Sequence, residues 1–256
     1  MIDVRVFGES GPPVLLLPGG AESADGFFPG LREGLADAQV IEHDRPGTGA
    51  STVDGELAGA ARAISDLVDR LGRGPVVVVG QSLGGAVGAL LARDHPEQVA
   101  GLVLLDPTPI NDPRTCATIE RMTVVLGRMA AVPGLRGLVA AAFRKTALRT
   151  ARGLRPDCAA AAERTARLDI PQLARAVRGL SALSQNFRES DLPRLPAVVV
   201  TAERKPDHVV RQAHERLAAA FGGEVRTWPG ATHSVHLDHP DEVLDTVREM
   251  AGKVAT

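Results

Sequence analysis

The sequence predicts an α/β fold, with a mostly parallel sheet, helices on both faces and a helical insertion in the second half. Short apolar runs recur between longer stretches whose apolar residues keep helical spacing. One of these runs passes through Gly80-Gln81-Ser82-Leu83-Gly84 straight into a helix rich in small residues. A chain of 256 residues can bury one sizeable core, and alternating strand and helix signals favour that over two small domains.

Taken in order, Val14-Leu15-Leu16-Leu17, Gln39-Val40-Ile41-Glu42, Val76-Val77-Val78-Val79, Leu102-Val103-Leu104-Leu105 and Ala197-Val198-Val199-Val200 are too short and apolar for anything but buried strands. Glu224-Val225-Arg226-Thr227-Trp228 is a weaker last strand. Helical patterns over Leu57 to Leu71, Leu83 to Arg93, Val209 to Phe221 and Pro240 to Met250 supply the crossovers that make strands parallel. From about Thr108 to Leu192 this rhythm breaks. The segment has no convincing strand, is rich in Ala and Arg, and carries helix breakers near Pro133-Gly134, Gly153 to Pro156 and Pro171. The chain therefore divides into a core of residues 1–107 and 193–256 and a helical insertion of residues 108–192. Lying between the strand ending at Leu105 and the one starting at Ala197, the insertion reads as a lid over the carboxyl ends of the strands, where open α/β sheets bind ligands. Helices that thicken the core are the alternative.

The net charge of −2 and the lack of a basic block argue against nucleic acid, and the arginines, interleaved with Ala and Leu, read as solvated helix faces. The opening Met1-Ile2-Asp3-Val4-Arg5-Val6-Phe7 lacks a charged stretch followed by an apolar one, and no apolar run reaches membrane-spanning length. A cytoplasmic protein without a membrane partner is the expectation. Cys116 and Cys158 read as two free thiols, because so low a count suits a reducing compartment better than a disulfide.

A strand, a sharp turn and a helix put Ser82 at the apex, where the turn lifts its hydroxyl out of the sheet and aims it at the amides that open the helix. A nucleophile needs a base. His233 suits best, because Pro229-Gly230-Ala231-Thr232-His233 follows the last strand and precedes the closing helix, which returns an imidazole to the strand ends. The spacing of His233, His236 and His239 could suggest metal, but the segment looks like a loop without a fixed ligand scaffold, so no metal and no cofactor are expected. His95 and His214 read as surface residues.

Gly80-Gln81-Ser82-Leu83-Gly84, the loop Pro18-Gly19-Gly20, the segment Asp44-Arg45-Pro46-Gly47-Thr48-Gly49-Ala50-Ser51 and the tail Gly230-Ala231-Thr232-His233 to Asp238-His239-Pro240 together resemble the α/β-hydrolase superfamily. The resemblance runs from about Val4 to Ala251, the insertion excepted, and is strongest to lid-bearing serine esterases, lipases and peptidases and to small actinobacterial hydrolases. It implies Ser82 as nucleophile, His233 as base and the N–H groups of Gly20 and Leu83 as an oxyanion hole, with the lid between the sixth and seventh strands of the family sheet. Pro18 stands where the family usually has His. A serine at position 82 speaks against epoxide hydrolases and haloalkane dehalogenases, whose nucleophile is Asp. The Asp44 to Ser51 loop braces the wall of the site, with Asp44 stabilising a turn.

The family acid usually follows the strand matching Ala197-Val200, yet Lys205 fills that slot and Asp207 falls late. Other members carry the acid at the end of the preceding strand, where Asp106 stands. Asp106 is therefore the preferred acid, Asp207 the alternative and Glu203 the next. The resemblance implies hydrolysis of an ester, thioester or lactone of a small to medium apolar substrate through an acyl-serine. The alternatives are a C–C bond hydrolase, a peptidase or an acyltransferase on the same triad, or a ligand-binding receptor without turnover. With 3% aromatic residues and no Tyr, the insertion offers Met122, Met129 and Phe143 to a flexible apolar acyl group. The partner expected is a small-molecule substrate.

Overall fold

The computed structural model describes residues 4–165 and 169–255, so Met1, Ile2 and Asp3 of the opening stretch lie outside the described residues. Strands β1 (Val4–Phe7), β2 (Pro13–Leu17), β3 (Gln39–His43), β4 (Val76–Gln81), β5 (Val99–Leu105), β6 (Ala197–Val200) and β7 (Glu224–Arg226) form one sheet in the order β1-β3-β2-β4-β5-β6-β7. Only β1 runs antiparallel, pairing Val4 with His43 and Phe7 with Val40. The sequence reading missed β1 because its residues are all half-buried at the sheet edge and leave no continuous apolar run.

The helices are α1 (Leu31–Gly34), α2 (Ala60–Leu71), α3 (Leu83–Asp94), α4 (Pro113–Ala131), α5 (Pro133–Thr150), α6 (Pro156–Thr165), α7 (Ile170–Ala176), α8 (Leu180–Asn186), α9 (Val209–Phe221), α10 (Val235–Asp238) and α11 (Pro240–Val254). Strand side chains alternate between two buried faces, which is why these runs are continuously apolar. Leu15, Leu17, Val76, Val78, Leu102 and Leu104 pack on one side with Ile64 and Leu67 of α2, the small-residue face of α3 and Leu217 and Phe221 of α9. Val14, Leu16, Val77, Val79, Val103 and Leu105 pack on the other side with Val243, Val247 and Met250 of α11 and Leu31 of α1. Each such side chain, taken from water to full burial, contributes about 1.5–3 kcal/mol.

Helices α4 to α8 occupy the segment between β5 and β6. These are the fifth and sixth of the seven described strands of this sheet. Pro133 opens α5 and Pro171 stands in the first turn of α7, where a proline costs no intrahelical bond. Glu120 of α4 ties the insertion together by accepting from the amides of Gly179 (2.7 Å) and Ser181 (2.8 Å). Asn111 fastens its root, donating to Glu189 Oε1 (2.7 Å) and the Ala213 carbonyl (2.8 Å). Cys116 and Cys158 are buried free thiols. Among the described residues no helix is long and apolar enough to cross a membrane.

Candidate active site

Strand β4 delivers Ser82 through a turn that only small neighbours permit. A Cβ on Gly80 would sit 2.6 Å from the carbonyl oxygen of Gly84, and one on Gly84 would sit 2.6 Å from the carbonyl oxygen of Pro18. Ser82 itself has φ 50° and ψ −116°, a conformation costing about 1–3 kcal/mol that persists only where surroundings fix it. They do so here through three backbone bonds. Ser82 N–H donates to Leu105 O (3.1 Å), while Ser82 O accepts from Thr108 (2.8 Å) and Ala86 (3.1 Å).

The hydroxyl lies 3.0 Å from His233 Nε2, and His233 Nδ1 lies 2.6 Å from Asp106 Oδ2. A carboxylate only accepts, so Nδ1 carries the proton and Nε2 is free to take one from Ser82. Gln81, just before the serine, donates from Nε2 to the His233 carbonyl at 2.9 Å and fixes the histidine loop against the nucleophile turn. Asp106 is the other non-glycine residue with positive φ (41°) among the described residues, and it is buried at the end of β5. Asp207 is exposed in a turn, and Glu203 instead accepts from the Gly230 amide at 2.8 Å. The structure thus brings Ser82, His233 and Asp106 together and leaves Asp207 and Glu203 aside.

One partner of Asp106 escaped the sequence reading. Arg204 clamps both carboxylate oxygens with its two terminal nitrogens, Nη2 to Oδ2 at 2.7 Å and Nη1 to Oδ1 at 2.5 Å, and Ala202 N–H adds a bond of 2.9 Å. Burial alone would raise the Asp106 pKa, but Arg204, His233 and the Ala202 amide outweigh it and hold the carboxyl well below the usual range. The available signal was Glu203-Arg204-Lys205, a basic pair where the family usually has its acid. With the acid on the neighbouring strand, that loop supplies a cation to it.

His214 is fully buried, not at the surface, because it shares the inner face of α9 with Ala213, Leu217 and Phe221. Its Nε2 donates to Pro107 O (2.7 Å), which leaves Nδ1 to accept from the Thr201 hydroxyl at 2.9 Å. Burial pushes its pKa down. His95 is half-buried against Ser65 (3.2 Å). His236 is buried and stacks on Phe27 at 4.5 Å, and burial, then the nearby His233, pushes its pKa down to about 3. His239 pairs with Glu242 at 3.3 Å, so the three histidines of the tail serve different contacts.

Gly20 and Leu83 both line the cavity beside Ser82. Leu83 opens α3, where the first amides have no intrahelical acceptor and face a developing negative charge favourably. In the loop that has Pro18, order comes from the following segment. Arg45 Nη2 donates to Gly20 O (2.9 Å), and Asp44 accepts from Ser23 Oγ (2.8 Å), Ala24 N (2.6 Å) and Ala50 N (2.8 Å).

The cavity above Ser82 measures about 310 Å³. The insertion contributes Ile119 and Thr123 from α4, Leu173 from α7, and Val177 and Leu180. Met122, Met129 and Phe143 do not line it. Met122 and Met129 are exposed, at 59% and 41%, because the inner face of α4 is phased on Ile119 and Thr123. Phe143 packs instead with Ala130, Val139 and Ile170 where α4, α5 and α7 meet.

Ser82, His233 and Asp106 stand in one hydrogen-bonded line on a mostly parallel α/β sheet, and the comparisons identify the family. The alpha/beta hydrolase family model matches residues 14–246. A lipase of Mycobacterium tuberculosis, LipV, is 39% identical over 115 residues, which are 42% of this chain and 42% of that protein. A poly(3-hydroxyalkanoate) depolymerase of Ectopseudomonas oleovorans is 34% identical over 95 residues, 36% of this chain and 34% of that one. The matched regions therefore span less than half the length of these relatives. A hydrolase structure from Pseudomonas aeruginosa superposes with a TM-score of 0.77 over 98% of this chain and 94% of that one, at 22% identity. The chain belongs to the alpha/beta hydrolase family.

Proposed function

We propose that this chain is a serine hydrolase that cleaves a carboxylic ester, thioester or lactone through an acyl-Ser82 intermediate. The observation that carries the reading is the continuous line from Ser82 Oγ to His233 Nε2 (3.0 Å) and from His233 Nδ1 to Asp106 Oδ2 (2.6 Å). His233 takes the Ser82 proton as Oγ attacks the substrate carbonyl, and Asp106 stabilises the imidazolium formed. The negative oxygen is met by the amides of Gly20 and Leu83. Collapse expels the alcohol, thiol or lactone oxygen, which leaves with the proton from His233. Water, deprotonated by His233, then releases the acid and restores Ser82.

The lining by Ile119, Leu173, Val177 and Leu180 suits a small to medium apolar group, and the relatives named a lipase and a depolymerase are in keeping with ester cleavage. The α4 to α8 segment acts as the lid of this cavity. Glu22 and His236 line the cavity, and their Oε1 and Nδ1 atoms are buried from solvent with no hydrogen-bond partner among the described residues. Burial raises the Glu22 pKa against the opposing pull of Thr165 and Arg164.

Labelling with a fluorophosphonate and mapping the adduct by mass spectrometry tests the reading. A single adduct on Ser82, absent from Ser82→Ala, is expected. No adduct on the wild type would instead favour a binding protein without turnover. A panel of esters graded in acyl length, with peptides and lactones alongside, fixes the reaction class.

A further inference from the structure

The two longest helices of the insertion carry a surface unlike the rest of the molecule. Residues 113–152 hold eight basic side chains and one acidic one, a charge of +7 in a chain whose total is −2, so the remainder carries −9. The eight are Arg114, Arg121, Arg128, Arg136, Arg144, Lys145, Arg149 and Arg152, and all are exposed. The one acid, Glu120, is spent on the amides of Gly179 and Ser181. The same helices expose large apolar side chains. Of nine such residues exposed among the described ones, seven are here: Met122, Val125, Met129, Val132, Leu135, Leu138 and Leu148, with Leu138 at 69%.

We propose that the outer surface of α4 and α5 docks on an anionic lipid surface. Cations interleaved with exposed Leu, Met and Val match a layer whose headgroups are negative and whose next few ångströms are apolar. A second copy of this chain would set +7 against +7. A nucleic acid would neutralise the arginines but leave the apolar side chains against phosphate. A single protein face fits poorly as well. Helix α5 touches its neighbours through one stripe, Val139, Phe143, Ala147 and Thr150, and the rest of its circumference is exposed, a distribution that a fluid layer can meet on several sides. From sequence these arginines read as solvated faces and no membrane partner is expected; what the structure adds is that the Leu, Met and Val among them are exposed while α4 turns Ile119 and Thr123 inward.

The test is co-sedimentation of the full chain, as Ser82→Ala so that turnover plays no part, with vesicles of phosphatidylcholine alone or mixed with phosphatidylglycerol. Partition about tenfold stronger on the anionic vesicles, and weakened by high salt, is expected. The triple variant Arg128→Gln, Arg136→Gln, Arg144→Gln should lose most of that preference. The pair Leu135→Ser, Leu138→Ser should weaken binding several-fold at low salt, and both variants should keep the wild-type unfolding midpoint. Equal partition on the two vesicle types, or none on either, overturns the proposal. So does self-association at this surface, seen by sedimentation velocity and abolished by the leucine pair, in place of vesicle binding. None of these outcomes bears on fluorophosphonate labelling of the wild type, so the two readings fail separately.

Discussion

An added carbon at Gly84 would sit 2.6 Å from the carbonyl oxygen of Pro18, whereas at Gly134 or Gly137 in α5 it would meet nothing within 4 Å. At Gly80 and Gly84 the turn around Ser82 packs directly against backbone atoms that cannot give way. The outer insertion rests on one stripe of contacts and tolerates change elsewhere. The proposed chemistry depends on tenths of an ångström and sits on the first, and the proposed docking surface is built from the second.

The sharpest way to break this comparison is at the acid. Asp106→Asn should cost on the order of 10⁴-fold in kcat on an ester substrate, measured under conditions where the variant is folded because it also breaks the ion pair with Arg204, whereas Asp207→Asn should leave turnover near normal. The reverse result would move the acid off β5. At the turn, Gly84→Ala should lower stability by about 3 kcal/mol in urea unfolding, since the obstructing atoms are backbone.

Arg204→Met should destabilise by a similar amount, about 3 kcal/mol at neutral pH, because it leaves a buried carboxylate without its cation. Its pH dependence has a definite sign. The Asp106 pKa is depressed in the folded protein, so its contribution is fully present above the ordinary value of 3.8 and is lost as pH falls through the lower folded value. The stability gap between wild type and Arg204→Met should therefore narrow in unfolding curves taken below about pH 4. A gap independent of pH would mean that Arg204 acts through packing alone.

Smaller effects fall on the insertion. Leu173→Ala, beside Gly20 in the cavity, should shift kcat/KM toward longer acyl groups by several-fold, whereas Met122→Ala should leave the length profile unaltered. At the low end, Gly137→Ala should stabilise α5 by roughly 0.5–1 kcal/mol, read as a raised midpoint.

The strands and their two-sided burial were legible because four consecutive valines followed by Gly-Gln-Ser-Leu-Gly specify β4 and its turn from local sequence alone. Helix α9 was legible in full, from Val209 to Phe221, yet the burial of His214 on it was not, since the reading used the type of residue and not its phase on the helix. The same error of phase put Met122 in the cavity in place of Ile119 and Thr123. Arg204 was hidden for another reason. Its partner stands 98 positions earlier, and only the pairing of β5 with β6 brings the two loops together.

Ser82 and Asp106 leave the sheet by the same backbone device, at the ends of two neighbouring parallel strands that are paired up to Gln81 opposite Leu105. The separation of Ser82 and Asp106 is thus inherited from the strand spacing, about 4.8 Å, a constant of backbone hydrogen bonding. All of the insertion enters the chain after this pair is complete. The charge and the exposed side chains of its outer helices can change without altering that spacing, and His233, returning from the far end of the chain, meets a target set by the sheet. A fold wired this way can change what it meets and admits while keeping its reacting atoms in place.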